Sequence, residues 1–306
     1  MQTTIRSSAT FSGNGLHSGV PATVTIKPAS AEYGVWFRRT DIQDRDALIP
    51  ARWDVVQKGR LCTMVENSAG VQVSTIEHIL AALAGCGIHN ALIEIDGPEV
   101  PILDGSAAEF VMGILNRGVQ ELSAPVRAIR VLKEIEVRDG EAVARLSPSD
   151  IFEISFHIQF EDAAIGQQEK RLNMANGAFV KELCNSRTFC RQSDIDAMHE
   201  NGLALGGTLA NAVVVDGASV MTPGGMRYQD EAVRHKMLDA LGDLALAGAP
   251  LLASYSGYRA GHALTNKLVR ALFADPDAFE MVQCDEDTAL RLPGVGVCRA
   301  DIPVAA

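Results

Sequence analysis

Two helix-like stretches begin more than a hundred and fifty residues apart, and each leaves polar groups off its apolar stripe. In Ser74 to Ala84, the residues Ile76, Ile79, Leu80 and Leu83 recur with helical spacing and turn Glu77 and His78 away from that stripe. In Asp230 to Ala247, the residues Met237, Leu238, Leu241, Leu244 and Ala245 form one side, while His235, Asp239 and Asp243 follow at four-residue steps on the other. On both stretches the polar set sits outside the core that the pattern marks. A fold that keeps these faces apart gains only a few tenths of a kcal/mol from an exposed His/Asp pair. A fold that closes them together joins two imidazoles and a carboxylate. That is the donor set of a three-ligand zinc site, in which a coordinated water has its pKa lowered to about 7. Glu77 is then a base beside that water, as a metal hydrolase requires. Ser74-x-x-Glu77 is also a capping-box pattern, which accounts for Glu77 but leaves His78 unexplained.

A chain of 306 residues exceeds one typical core and predicts two domains. Ala22, Val24 and Ile26 alternate with polar residues as in a half-buried strand, Gly34 to Arg38 extends as a second, and Ala91 to Ile95 is strand-like and apolar. A helix from Ala107 to Asn116 follows a turn-rich stretch, and the pattern breaks at Ser123-Ala-Pro125. We place the boundary there, giving domains 1–125 and 126–306. Beyond it, Ile129 to Val137, Ala142 to Leu146 and Phe152 to Phe160 read as strands, then Asp230 to Ala247 and Asn266 to Ala274 as helices. Strands followed by helices in both halves predict an α+β fold. His78 with Gly105-Ser-Ala107, and His235 with Gly261-His-Ala263, have nearly the same spacing. This suggests two related domains that face each other across a cleft.

The net charge of −11 argues against nonspecific nucleic-acid binding. No run is long and apolar enough for a signal peptide or a membrane span, and the six scattered cysteines form no C-x-x-C pair, so the expectation is reduced thiols in a cytoplasmic protein; a monomer is expected, though not from these features. H-E-x-x-H, Walker and dinucleotide motifs are absent; Gly13 to Gly19 misses the last by one position. His262, after Gly261, is a third histidine of interest. A nearby carboxylate, with Asp243 the candidate, would keep it protonated. His157, His199 and His89 read as ordinary, and His17 is left open.

Ordered motifs nearly end to end then carry a resemblance. They are Gly13-x-Gly-Leu-His-Ser-Gly19, Phe37-Arg-Arg-Thr-Asp41, Ser74-Thr-Ile-Glu-His78 and Pro101-Ile-Leu-Asp-Gly-Ser-Ala107, with Ser186-Arg-Thr-Phe189, Arg234-His-Lys-Met-Leu-Asp-Ala-Leu-Gly-Asp243 and Gly261-His-Ala-Leu-Thr-Asn266. The chain resembles the zinc-dependent UDP-3-O-acyl-N-acetylglucosamine deacetylases of lipid A biosynthesis. The resemblance implies two α+β domains of similar topology, each with a small insertion, and a site between them. It implies Zn2+ on His78, His235 and Asp239, with Fe2+ as the alternative ion, since such donors discriminate poorly. It further implies Glu77 as general base, His262 as general acid, Asp243 as its partner and Thr188 as a donor to the oxyanion. Lys236, Phe189 and Phe160 would contact the UDP-linked acylated amino sugar. The second insertion, about 190–216, would make an acyl passage, using Met198, Leu203, Leu205, Leu209 and Val213 to Val215 as apolar surface, with Gly206-Gly207 permitting close approach. Arg259 stands where the family more often has lysine. Two other readings keep the metal: hydrolysis of a different acylated amide, and a metal-stabilised binding protein without catalysis.

Overall fold

The computed structural model describes residues 1–57 and 61–303. Its first sheet contains β1 (Ala9–Asn14), β2 (Pro21–Pro28), β3 (Val35–Arg39), β4 (Leu48–Pro50) and β5 (Ala91–Ile95), in the order β1-β2-β5-β3-β4. Ala22, Val24 and Ile26 of β2 are buried, as their alternation predicts. β5 runs antiparallel to β2 and parallel to β3. Helices α1 (Glu77–Gly85) and α2 (Ala108–Arg117) complete this half.

The second sheet contains β6 (Arg127–Val131), β7 (Ile135–Asp139), β8 (Ala142–Pro148), β9 (Phe152–Gln159), β10 (Gln167–Asn173), β11 (Leu251–Tyr258) and β12 (Phe279–Gln283). Within it, β7-β8-β11-β9-β10 repeats the first sheet strand for strand: β11 is antiparallel to β8, parallel to β9, and β9 is antiparallel to β10. The added pair β6 and β12 joins at the start of β11. In each half a small insertion lies between the fourth repeated strand and the polar helix. The first is three short strands, Val56–Gln57, Met64–Glu66 and Gln72–Ser74. The second pairs Phe189–Arg191, Val213–Asp216 and Ser219–Val220, with α3 (Gln192–Glu200) between the first two. Helices α4 (Glu231–Ala245) and α5 (His262–Ala274) stand to the second sheet in chain order as α1 and α2 stand to the first. The duplicated α+β architecture agrees with the spacing repeat.

Helices α1 and α4 pack directly on each other, and Gly242 shows how closely. A Cβ there would collide with the Glu77 backbone carbonyl, so only glycine admits the approach. This contact corrects the expectation that the polar faces lie outside the core. Glu77, His78, His235, Asp239 and Asp243 are all buried, because each helix covers the other's polar side.

Three boundaries also differ. α1 starts at Glu77 rather than Ser74, because Thr75 takes φ +55°, outside the helical region, and Ser74 ends a strand. The capping box is therefore absent: the Ser74 hydroxyl donates to Pro98 O, and Glu77 turns elsewhere. Ile129 to Val137 is two strands, broken at 132–134, where Leu132 is turned out to solvent. The helix expected from Asn266 begins at His262.

Candidate active site

The α1–α4 crossing brings His78, His235 and Asp239 to one point. One ligand atom from each lies within 4.8 Å of the others. Asp239 Oδ1 is 3.3 Å from His235 Nε2 and 3.6 Å from His78 Nε2. A tetrahedral ion with bonds of 2.0–2.1 Å keeps its ligands about 3.3 Å apart, so this spacing fits a small divalent metal. Asp239 Oδ1 is buried without a hydrogen-bond partner among the described residues, an orphan that a cation would satisfy. Its other oxygen is engaged, accepting from Lys236 Nζ at 2.9 Å. His235 Nδ1 donates to the Ser186 carbonyl at 3.0 Å, which leaves the Nε2 lone pair facing the other two donors. Burial, partly opposed by Asp239, lowers the His235 pKa to about 4, so the ring is neutral and able to ligate at neutral pH. Burial works against ionising Asp239, but His235, Lys236 and His262 outweigh it and hold the carboxyl well below its usual range.

Glu77 and His262 face each other beside these donors, with Oε1 3.6 Å from Nε2. Burial raises the Glu77 pKa against the opposing effect of His262 and His78. Burial would make His262 less basic, but Asp243, then Glu77 and Asp239, more than reverse this and raise it to about 9. His262 Nδ1 lies 2.8 Å from Asp243 Oδ2, so it donates there and Nε2 points at the cleft. Lys236 is also raised: burial lowers it, and Asp239 overcomes that effect.

The cleft opens into a cavity of about 900 Å³ lined by His235, Lys236, Asp239 and His262 together with Thr188, Phe189, Phe160 and Arg259. Thr188 is fixed by its backbone, donating to Gly105 O at 2.8 Å while its carbonyl accepts from Val213 N. The Phe189 ring sits edge-on to His235 and to Phe160, at 6.3 and 5.5 Å between centroids. Farther along, Ile195, Met198, Leu209 and Val214 give the cavity an apolar wall. The other expected apolar contributors divide. Val213 and Val215 are buried, Leu205 is largely exposed, and neither Leu203 nor Leu205 lines the cavity. Gly206 does provide a close approach, packing against Gly15 and Gly19 in the other half.

Some site features escape a reading of the sequence alone. Glu99 accepts from the His17 and Ser18 amides, both at 2.8 Å, and from the Thr75 hydroxyl, holding the Gly13–Gly19 loop to the entrance of α1. His17 thereby lines the cavity. Thr63, in the first insertion, contacts Glu77 and Asp243. Neither Thr63 nor Glu99 has a periodicity or motif signal in a single sequence.

The family model described as UDP-3-O-acyl N-acetylglycosamine deacetylase matches residues 2–274. This chain belongs to that family. A curated UDP-3-O-acyl-N-acetylglucosamine deacetylase from Phenylobacterium zucineum is 46% identical over 288 residues, covering 94% of this chain and 98% of the relative. One from Shewanella frigidimarina is 42% identical over 306 residues, covering 99% and 96%. One from Shewanella violacea is 44% identical over 288 residues, covering 94% of each. As a member of this deacetylase family, the chain carries its donor cluster on the two helices that pack across the duplicated halves.

Proposed function

We infer that this chain removes the N-acetyl group from UDP-3-O-acyl-N-acetylglucosamine, releasing acetate and the free amine, in the committed step of lipid A biosynthesis. The observation that carries this reading is the meeting of His78, His235 and Asp239 beside the facing pair Glu77 and His262. Zn2+ is the ion we assign to the three donors, with Fe2+ able to take the same set. Bound there, it would polarise the attacking water and the amide carbonyl.

The chain's own groups supply the rest. Glu77 is the general base: burial strengthens it, and its Oε1 faces the cleft. His262 is the general acid, carrying a proton through neutral pH that its Nε2 can deliver to the departing nitrogen. Asp243 orients that ring by accepting from Nδ1. The Thr188 hydroxyl donates to the oxyanion, Lys236 and Phe189 contact the substrate, and Phe160 packs on the nucleotide or sugar portion. Arg259 would face the diphosphate as a fixed cation. The apolar wall of the second insertion takes the 3-O-acyl chain.

We assign domains 1–125 and 126–306, the second with its insertion at about 190–216, acting as a cytoplasmic monomer with no nucleic-acid partner. Among the described residues no helix is long and apolar enough to cross a membrane. The test is deacetylation of the acylated UDP-sugar before and after chelation. Turnover should vanish with the metal and return with added zinc. Activity that survives complete metal removal would sink the reading.

A further inference from the structure

The first insertion places one residue where it touches both carboxylates of the acid–base machinery. Thr63 is buried, and all three of its polar atoms have partners at the helix crossing. Its amide donates to Glu77 Oε2 at 3.0 Å. Its carbonyl accepts from Ile76 N, at the residue that precedes α1. Its hydroxyl donates to Asp243 Oδ1 at 2.5 Å, on α4. We propose that Thr63 is the positioning residue that locks the general base and the histidine's carboxylate partner into a single rigid unit across the two halves. The proposal rests on the deacetylase reading above.

Each hydrogen bond has a distinct consequence. With Oε2 held by the amide, Glu77 presents Oε1 toward the cleft, where it lies 3.6 Å from His262 Nε2. With Oδ1 held by the hydroxyl, Asp243 keeps Oδ2 for His262 Nδ1, 2.8 Å away. The carboxylate cannot swing, so the imidazole cannot either. Catalytic groups work only while their aim is maintained, and a charge-assisted hydrogen bond in a buried setting is a strong way to maintain it. Thr63 reaches Asp243 from another element, 180 positions away in the chain. Nothing on α4 itself would have to change for that aim to be lost.

Thr63→Val keeps the volume and the amide but removes the hydroxyl. Wild type and variant are to be compared in kcat, KM, metal content and urea unfolding, with Thr63→Ser and Asp243→Asn alongside. The proposal expects kcat to fall about tenfold or more in Thr63→Val, as for a lost hydrogen bond to a charged group. KM and metal content should stay near wild type, and Thr63→Ser should recover most of the rate. In the Asp243→Asn background, Thr63→Val should cost little further, because both changes break one linkage. Full activity in Thr63→Val overturns the proposal, as do equal losses in the Val and Ser variants or strictly additive losses with Asp243→Asn. Failure of wild type to deacetylate would instead overturn the reading on which the proposal rests.

Discussion

The two halves share a five-strand pattern and a polar helix, yet they contribute unequally to the site. His78 and His235 occupy equivalent places on α1 and α4, and each is followed seven residues later by glycine, Gly85 and Gly242. Around that shared frame the second half supplies Asp239, Asp243, Lys236 and, on α5, His262; the first supplies Glu77. The insertions differ in the same way. The first reaches in with Thr63 to hold carboxylates, and the second spreads apolar side chains along the cavity. Repetition of the frame brings two helices into register, and the chemistry comes from the positions at which the halves are not alike.

The sharpest way to break this comparison is to remove the first half's distinctive group. Glu77→Ala should lower kcat about 10²- to 10⁴-fold while leaving the bound metal in place, because the role we propose for Glu77 is that of a base rather than a ligand. Steady-state kinetics with metal analysis on the same sample checks this. Little loss of rate would move the base to another residue, and loss of metal would make Glu77 part of the donor set.

With His262 as the proposed general acid, the second half's distinctive pair would set a pH limit. The His262 pKa is raised from 6.5 to about 9, with burial opposing and Asp243 and its neighbours prevailing. The acid form therefore persists through neutral pH and is lost as pH rises through about 9. kcat should fall roughly tenfold per pH unit above that point, as expected for a required proton. In His262→Ala the residual rate should lose this alkaline limb. An identical limb in the variant would assign it to a different group.

Gly242 and Gly85 give the smallest and most symmetric contrast. A Cβ at Gly242 meets the Glu77 backbone, which cannot yield, whereas one at Gly85 meets the Phe179 ring. Gly242→Ala should cost about 1–3 kcal/mol in urea unfolding, the usual penalty for overpacking, and Gly85→Ala should also be destabilising, because the Phe179 ring it meets is itself fully buried. An unchanged unfolding midpoint in Gly242→Ala would mean that the helix crossing is looser than this contact requires.

Most of the frame is legible in the amino-acid sequence, because period-2 and period-3.6 patterns record which side of each element is buried. The alternation at 22–26 and the apolar run at 91–95 marked strands of the first sheet, and helix spacing placed His235 and Asp239 on one face. What remained hidden depended on contacts between distant segments. A polar face counts as exposed until a second polar helix covers it, and for that reason His78 and His235 were expected outside a core in which they are buried. The Ser74–Glu77 capping pattern failed similarly: Thr63 N, brought in by the first insertion, takes the Glu77 carboxylate. Thr63 and Glu99 act through hydrogen bonds to distant segments of the fold, and such bonds leave no periodic trace.

The central claim is that one metal ion is shared by ligands from both halves. Metal content per chain, measured for wild type, His78→Ala and Asp239→Ala after identical purification, tests it most directly. The account predicts one divalent ion in wild type and loss of most of it in both variants, each still folded. Full retention in His78→Ala alongside loss in Asp239→Ala would place the ion in the second half alone and contradict it.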